Sequence, residues 1–162
     1  KADAEHIHIP ARYEEVIKQI YSNIAYERDF IIEEGRIPAS GDASEIRVAL
    51  RHDHNQAVLT VNKLSESTAG EIAFHLKQLR LQRVDCIYAD IPLGFKGAGA
   101  LAAHLRELGF FYGYVIPEYF SSDVLRLQYL NNVEILKEDI KTASPFGQSL
   151  LDMIFEDWDS VS

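Results

Sequence analysis

Apolar residues in this chain recur with a period of about four in some stretches and two in others, and each change of period marks a change of element. Tyr13, Val16, Ile17, Ile20 and Ile24 fall on one helical face behind Pro10, which suits a first helical turn because its missing N–H has no partner there. EEGRIPASGDAS (33–44) is a loop by its Gly, Pro and Ser content. From Glu45 to Arg51 the period drops to two. Ile46, Val48 and Leu50 point one way and Glu45, Arg47 and Arg51 the other, which predicts a half-buried strand. The polar HDHNQ (52–56) turns the chain, and Ala57 to Lys63 returns as the second strand of a hairpin.

A helix follows. Thr68 and Glu71 have the spacing of a capping box, and Ile72, Leu76 and Leu79 form its buried stripe. Asp85 to Ile91 is a short apolar strand suited to a sheet centre. Gly94 to Gly99 leads into an amphipathic run carrying Leu101, Leu105 and Leu108, which Gly109 ends as a left-handed C-terminal cap. Phe110 to Pro117 and Val124 to Leu130 read as strands, and Ser144-Pro145 opens a last helix with Leu150, Leu151, Ile154, Phe155 and Trp158. The order is helix, hairpin, helix, strand, helix, strand, strand, helix, an α/β arrangement without internal repeat.

The length of 162 residues suits a single domain, and 47% hydrophobic residues suffice for its core. A net charge of −9 disfavours nucleic acid and anionic lipid as partners. No apolar run approaches the roughly 20 residues that span a bilayer. Cys86 is the only cysteine, so a reducing, cytoplasmic setting is expected, with Cys86 as a buried packing residue. The opening KADAEHIHIP has no signal-peptide pattern, and Met153 is the only methionine. Residues 1–162 are therefore expected to be one domain excised from a longer protein.

Candidate chemistry is sparse. Asp90, at the carboxyl end of the apolar strand, is a possible general base, with helix capping or loop hydrogen bonding as its structural alternative. GFKGAG (94–99) stands between a strand and a helix. It is a flexible turn or a phosphate loop, and it has neither a Walker ending nor a full dinucleotide fingerprint. His52 with His54, and His6 with His8, have alternate spacing that could supply paired metal ligands; a polar hairpin tip and a frayed terminus are the plainer readings. His75 and His104 read as surface or boundary residues, and Glu14-Glu15 and Glu33-Glu34 as solvated faces. Phe110, Phe111, Tyr112 and Tyr114, with Tyr119 and Phe120 nearby, supply core, with some rings left for a partner or ligand.

The unit LRELGFFYGYV, within the strand-loop-helix-strand segment Asp85 to Pro117, resembles the GNAT family of N-acetyltransferases, and the likeness extends from about Glu45 to Leu130. HIPARYEEVIKQIY and LRLQYLNN are similar to GNAT-like domains that stand beside an anti-sigma-type, histidine-kinase-like ATPase domain in bacterial regulatory proteins. The resemblance implies a GNAT-like mixed sheet flanked by helices. It also implies acetyl coenzyme A between two parallel strands, with its pyrophosphate at a helix start, here Ser67, Thr68, Gly70 and Glu71. The carry-over is incomplete. Ser67 replaces the family's Gln or Arg, Ile72 its small residue, Ala98 its asparagine and Leu105 its proton-donating tyrosine. The expectation is a degenerate, non-catalytic module that senses a ligand or binds a protein partner. The alternative is an N-acetyltransferase acting on an amine with acetyl coenzyme A.

Overall fold

The computed structural model describes residues 5–119 and 122–162. Phe120, named above for its ring, lies outside them. The elements are β1 (His6–Pro10), α1 (Glu14–Asn23), β2 (Asp29–Glu33), β3 (Glu45–Arg51), β4 (Gln56–Lys63), α2 (Thr68–Leu81), β5 (Cys86–Pro92), α3 (Ala98–Glu107), β6 (Phe111–Tyr119), β7 (Ser122–Leu130) and α4 (Pro145–Val161). Short 3-10 turns precede α1 and α4.

A mixed five-stranded sheet runs in the order β3-β4-β5-β7-β6, and β1 and β2 form a separate parallel pair. β4 and β5 are parallel, as the intervening α2 requires; the other neighbours in the large sheet are antiparallel. Four helices accompany these sheets among the described residues, giving the expected α/β class of a GNAT-like mixed sheet flanked by helices.

One sheet face is dry. Ala57, Leu59 and Val61 of β4, Ile87, Ala89 and Ile91 of β5, and Leu125 and Leu127 of β7 alternate along their strands and join one core. The same core takes Tyr13 and the α1 residues Ile17 and Tyr21, then Ile72, Leu76 and Leu79 of α2, and Leu101 and Leu105 of α3. The α1 stripe therefore differs from the expected one: Tyr21 is buried and Ile24, beyond the helix end, is exposed. Pro10 ends β1 rather than opening the helix.

Two buried carboxylates tie the ends of the chain to this core. Asp123 of β7 accepts from the Tyr21 hydroxyl at 2.6 Å, from Arg28 Nε at 2.8 Å and from the Glu118 N–H at 2.8 Å. Burial pushes its pKa up, but the hydrogen bonds from Arg28, Tyr21 and Glu118 outweigh that and hold it below the usual carboxylate range. Asp157 of α4 accepts from Arg12, Tyr13, Arg106 and the Tyr112 N–H. Each aspartate thus joins distant parts of the sequence through charge-assisted bonds.

Helices α1, α2 and α3 end alike. In α3, Phe110 N–H donates to Leu105 C=O at 3.1 Å and Gly109 N–H to Arg106 C=O at 3.0 Å, with Gly109 at φ +105°. This is a Schellman cap, and Gly109 holds the left-handed position read from the sequence. The ends of α1 and α2 repeat the pattern with Ala25 (φ 56°) and Arg83 (φ 58°) in the glycine's place.

Two local expectations need correction. The cap of α2 is not Thr68 with Glu71: Thr68 Oγ1 accepts from the Ser65 N–H at 2.9 Å, while Ser65 Oγ accepts from the Ser67 N–H at 3.2 Å. The side-chain bonds to backbone N–H groups therefore sit one turn earlier and involve Ser65, Ser67 and Thr68, and Glu71 N–H donates to Ser67 C=O instead. Glu33 is not a solvated acid. Its carboxylate accepts from the N–H groups of Gly97 and Gly99, both at 2.8 Å, at the start of α3, and it contacts His8 Nδ1 at 3.0 Å. The GFKGAG turn therefore cradles an anion that the chain supplies itself.

Candidate functional site

The second face of the large sheet is largely free of helices and carries a groove of about 590 Å³. That is within the range of small-molecule sites. Its position follows from strand pairing. β4 and β5 pair over Gln56–Thr60 and Cys86–Asp90, then part, so the ends of the two strands diverge. Asn62 of β4 and Pro92 of β5 line the opening, with Gly94 and Phe95 beyond them.

Register builds a polar row across the sheet. Arg47 pairs with Thr60, Thr60 with Asp90, Asp90 with Arg126, and Arg126 with Tyr114. The row belongs to the face opposite the core because each residue is one step out of phase with the buried set. Arg126 Nε donates to Asp90 Oδ1 at 2.6 Å and Nη2 to Oδ2 at 2.8 Å, a two-pronged ion pair. Arg126 Nη1 donates to the Tyr114 hydroxyl at 2.8 Å, and the guanidinium lies 4.7 Å from the Tyr88 ring centre. The hydrogen bond to Asp90 is the main cause that holds the Arg126 pKa above its ordinary value.

Burial, then a hydrogen bond with Cys86, pushes the Tyr88 hydroxyl up to about 12. Burial also raises the Cys86 thiol. Cys86 is half-buried on this polar face, not in the core as expected, and its raised pKa leaves it a poor nucleophile at neutral pH.

The groove inverts the charge of the molecule. Among the described residues, Arg47, Arg51 and Arg126 line it against the single acid Asp90, in a chain with 16 basic and 25 acidic side chains. Asp90 neutralises Arg126. Among the described residues, the Arg47 and Arg51 side chains have no hydrogen bond or ion pair. Beside these free cations lie the apolar surfaces of Val58, Pro92, Phe95 and Val124. A pair of cations at the rim of an apolar-walled cleft concentrates anions there.

The sequence candidates divide between two places. Asp90 is in the groove, where it holds Arg126 rather than capping a helix. Ser67, Thr68, Gly70 and Glu71 lie at the start of α2 and do not line the groove. There the Ser65 and Ser67 hydroxyls bond to each other and the Thr68 hydroxyl bonds to that of Ser44, while the space above Gly70 is open. Ile72 and Leu105 are fully buried in the core and reach neither place. Among the described residues, no three His, Cys, Asp or Glu side chains gather as a metal site, and no helix is long and apolar enough to cross a membrane.

Thr60, Tyr88 and Arg126 escape the sequence reading, and Arg47 and Tyr114 enter it only as an outward strand position and as one ring of an aromatic cluster. Each is an ordinary outward residue of an alternating strand, and only the register of neighbouring strands joins them. The signal present in the sequence was the phase of Arg47 and Arg51, both opposite to Ile46, Val48 and Leu50. No family model, curated protein or solved structure matches the chain.

Proposed function

We propose that this chain is a non-catalytic, GNAT-like ligand-binding module of a larger regulatory protein, and that its groove receives a small organic anion. The observation that carries the reading is the free Arg47–Arg51 pair on the rim of a groove whose other walls include Val58, Phe95 and Val124. The anionic head would meet the guanidinium groups and an apolar body would lie on those side chains. Asp90 supports this arrangement as an ion-pair partner that fixes Arg126 over Tyr88, a positioning role rather than proton transfer. Leu105 offers no proton donor at the position where the resemblance would place one, and it is closed inside the core.

The divergence of β4 and β5 favours a second reading, an N-acetyltransferase that lays acetyl coenzyme A between the strand ends. One calorimetric series separates the two. Succinate and inorganic pyrophosphate serve as simple anions, and acetyl coenzyme A as the cofactor. The binding-module reading expects anion binding that weakens with salt and falls about tenfold in Arg47→Ala, with acetyl coenzyme A no tighter than about millimolar. Micromolar acetyl coenzyme A together with thiol release in the presence of an amine would replace it with the transferase. No anion binding by the parent chain at low salt would remove the module.

A further inference from the structure

β3 is the end strand of the large sheet, and among the described residues no strand pairs with its outer edge. It has seven residues, no proline, and only Ile46 and Ala49 are even half-buried. Val48 and Leu50 are 39% and 43% exposed, more than the expected half-buried strand allowed. An edge of this kind presents outward N–H and C=O groups that can template another strand.

The sequence of β3, EIRVALR, complements its own reverse. Two copies laid antiparallel about Val48 bring Glu45 opposite Arg51, Ile46 opposite Leu50, and Val48 opposite itself. Directly opposed residues of antiparallel strands share a face. The two Glu45–Arg51 contacts would therefore form on the open face, and Ile46, Val48 and Leu50 would meet on the helix-bearing face. Among the described residues, the Arg51 side chain has no hydrogen-bond or ion-pair partner. Glu45 touches Lys63 at 3.4 Å in an exposed pair, which leaves its other oxygen available.

We infer that β3 pairs with β3 of a second copy of this chain, antiparallel and centred on Val48, to give a two-fold dimer whose sheet runs through both molecules. Charge complementarity selects this occupant over an unrelated strand, because both ends of the pairing are satisfied at once. The open faces then become continuous and the two grooves are neighbours across the junction, with Arg51 shared with Glu45 of the second copy and Arg47 left to the anion.

Sedimentation of the 162-residue chain over micromolar to several hundred micromolar concentration tests this. The expected result is a monomer–dimer equilibrium. Glu45→Arg and Arg51→Glu should each weaken it about tenfold, because two-fold symmetry applies every change twice and turns attraction into repulsion. The exchange variant carrying both changes should recover the dimer. Mixing the two single variants should also produce a heterodimer, since each supplies the charges that the other needs. Val48→Lys should leave only monomer. Circular dichroism checks that these exposed substitutions leave the fold intact. A monomer at all concentrations overturns the inference, as does a dimer indifferent to the charge reversals. Glu45 does not line the groove, so the Glu45→Arg result is independent of ligand binding.

Discussion

Leu59 and Thr60 are neighbours on β4, Ala89 and Asp90 on β5, and Arg126 and Leu127 on β7; in each pair one residue meets the helices and the other the groove. The two faces of the sheet thus share every strand. On the helix side the requirement is volume and the absence of polar atoms, and several apolar residues would satisfy it at each position. On the groove side the requirement is a particular donor or acceptor at each step of the row. Stability is spread over many residues on the first face, while on the proposed reading recognition on the second is concentrated in a few. Substitutions on the two faces should therefore differ in kind: loss of fold on one, and loss of binding with little loss of fold on the other.

The sharpest contrast starts with Leu105, fully buried against the helix-side core. Leu105→Ala should cost about 2–5 kcal/mol in a urea melt, the range for truncating a buried leucine. Leu105→Tyr should give no thiol release from acetyl coenzyme A, since the hydroxyl would enter the core and not the groove. A near-neutral melt for the alanine variant would erase the difference between the faces.

Asp123 tests whether a buried charge behaves as part of the core. Its folded pKa lies below its unfolded value, so its contribution is fully present above about pH 4 and is lost as pH falls through the folded value. Asp123→Asn should cost about 2–4 kcal/mol at neutral pH by leaving Arg28 without its main partner. The same variant should show a flatter loss of stability with acid than the parent in melts from pH 7 to pH 2.

Asp90 is the counterpart on the open face. Its partner Arg126 keeps contact with solvent, so Asp90→Asn should cost less, about 1–2 kcal/mol. It should nevertheless tighten anion binding measured by calorimetry, because the groove loses its acid and Arg126 its counter-ion. Equal losses of stability for Asp123→Asn and Asp90→Asn would show that both sheet faces are structural.

The smallest effects come from helix ends. Gly109→Ala should cost about 1–2 kcal/mol, since its φ is strained for alanine and the new methyl group would come 2.9 Å from the Tyr129 ring. Arg83→Gly, at the matching position of α2, should instead stabilise by about 0.5–1 kcal/mol. Thermal melts of both variants should move in opposite directions, with anion binding unchanged.

The elements with many alternating or helical repeats were legible from the sequence. The periodicity of β3, α2, α3 and α4 marks them nearly to their ends, and Gly109 after an amphipathic run marks the left-handed cap. The five-residue strands β1 and β2 were not. HIHIP and DFIIE pair with each other across the whole of α1, and a partner that distant leaves no local mark beyond a short alternation. Asp90 was legible as the lone acid at the end of an apolar strand. The arginines around it were not, because an outward arginine on a strand is the ordinary means of staying soluble. Only the register shows that Arg47 and Arg126 share a row.

Glu33 carries a separate consequence. It reaches the first N–H groups of α3 from β2, and the connection between them is the chain itself. A phosphate approaching GFKGAG must therefore compete with an intramolecular rival whose effective concentration is at least about millimolar. At ordinary metabolite levels the rival holds the place, and the loop works as a clasp that fastens β2 to α3. Replacing Glu33 would open the clasp and create an anion acceptor that the intact chain keeps for itself.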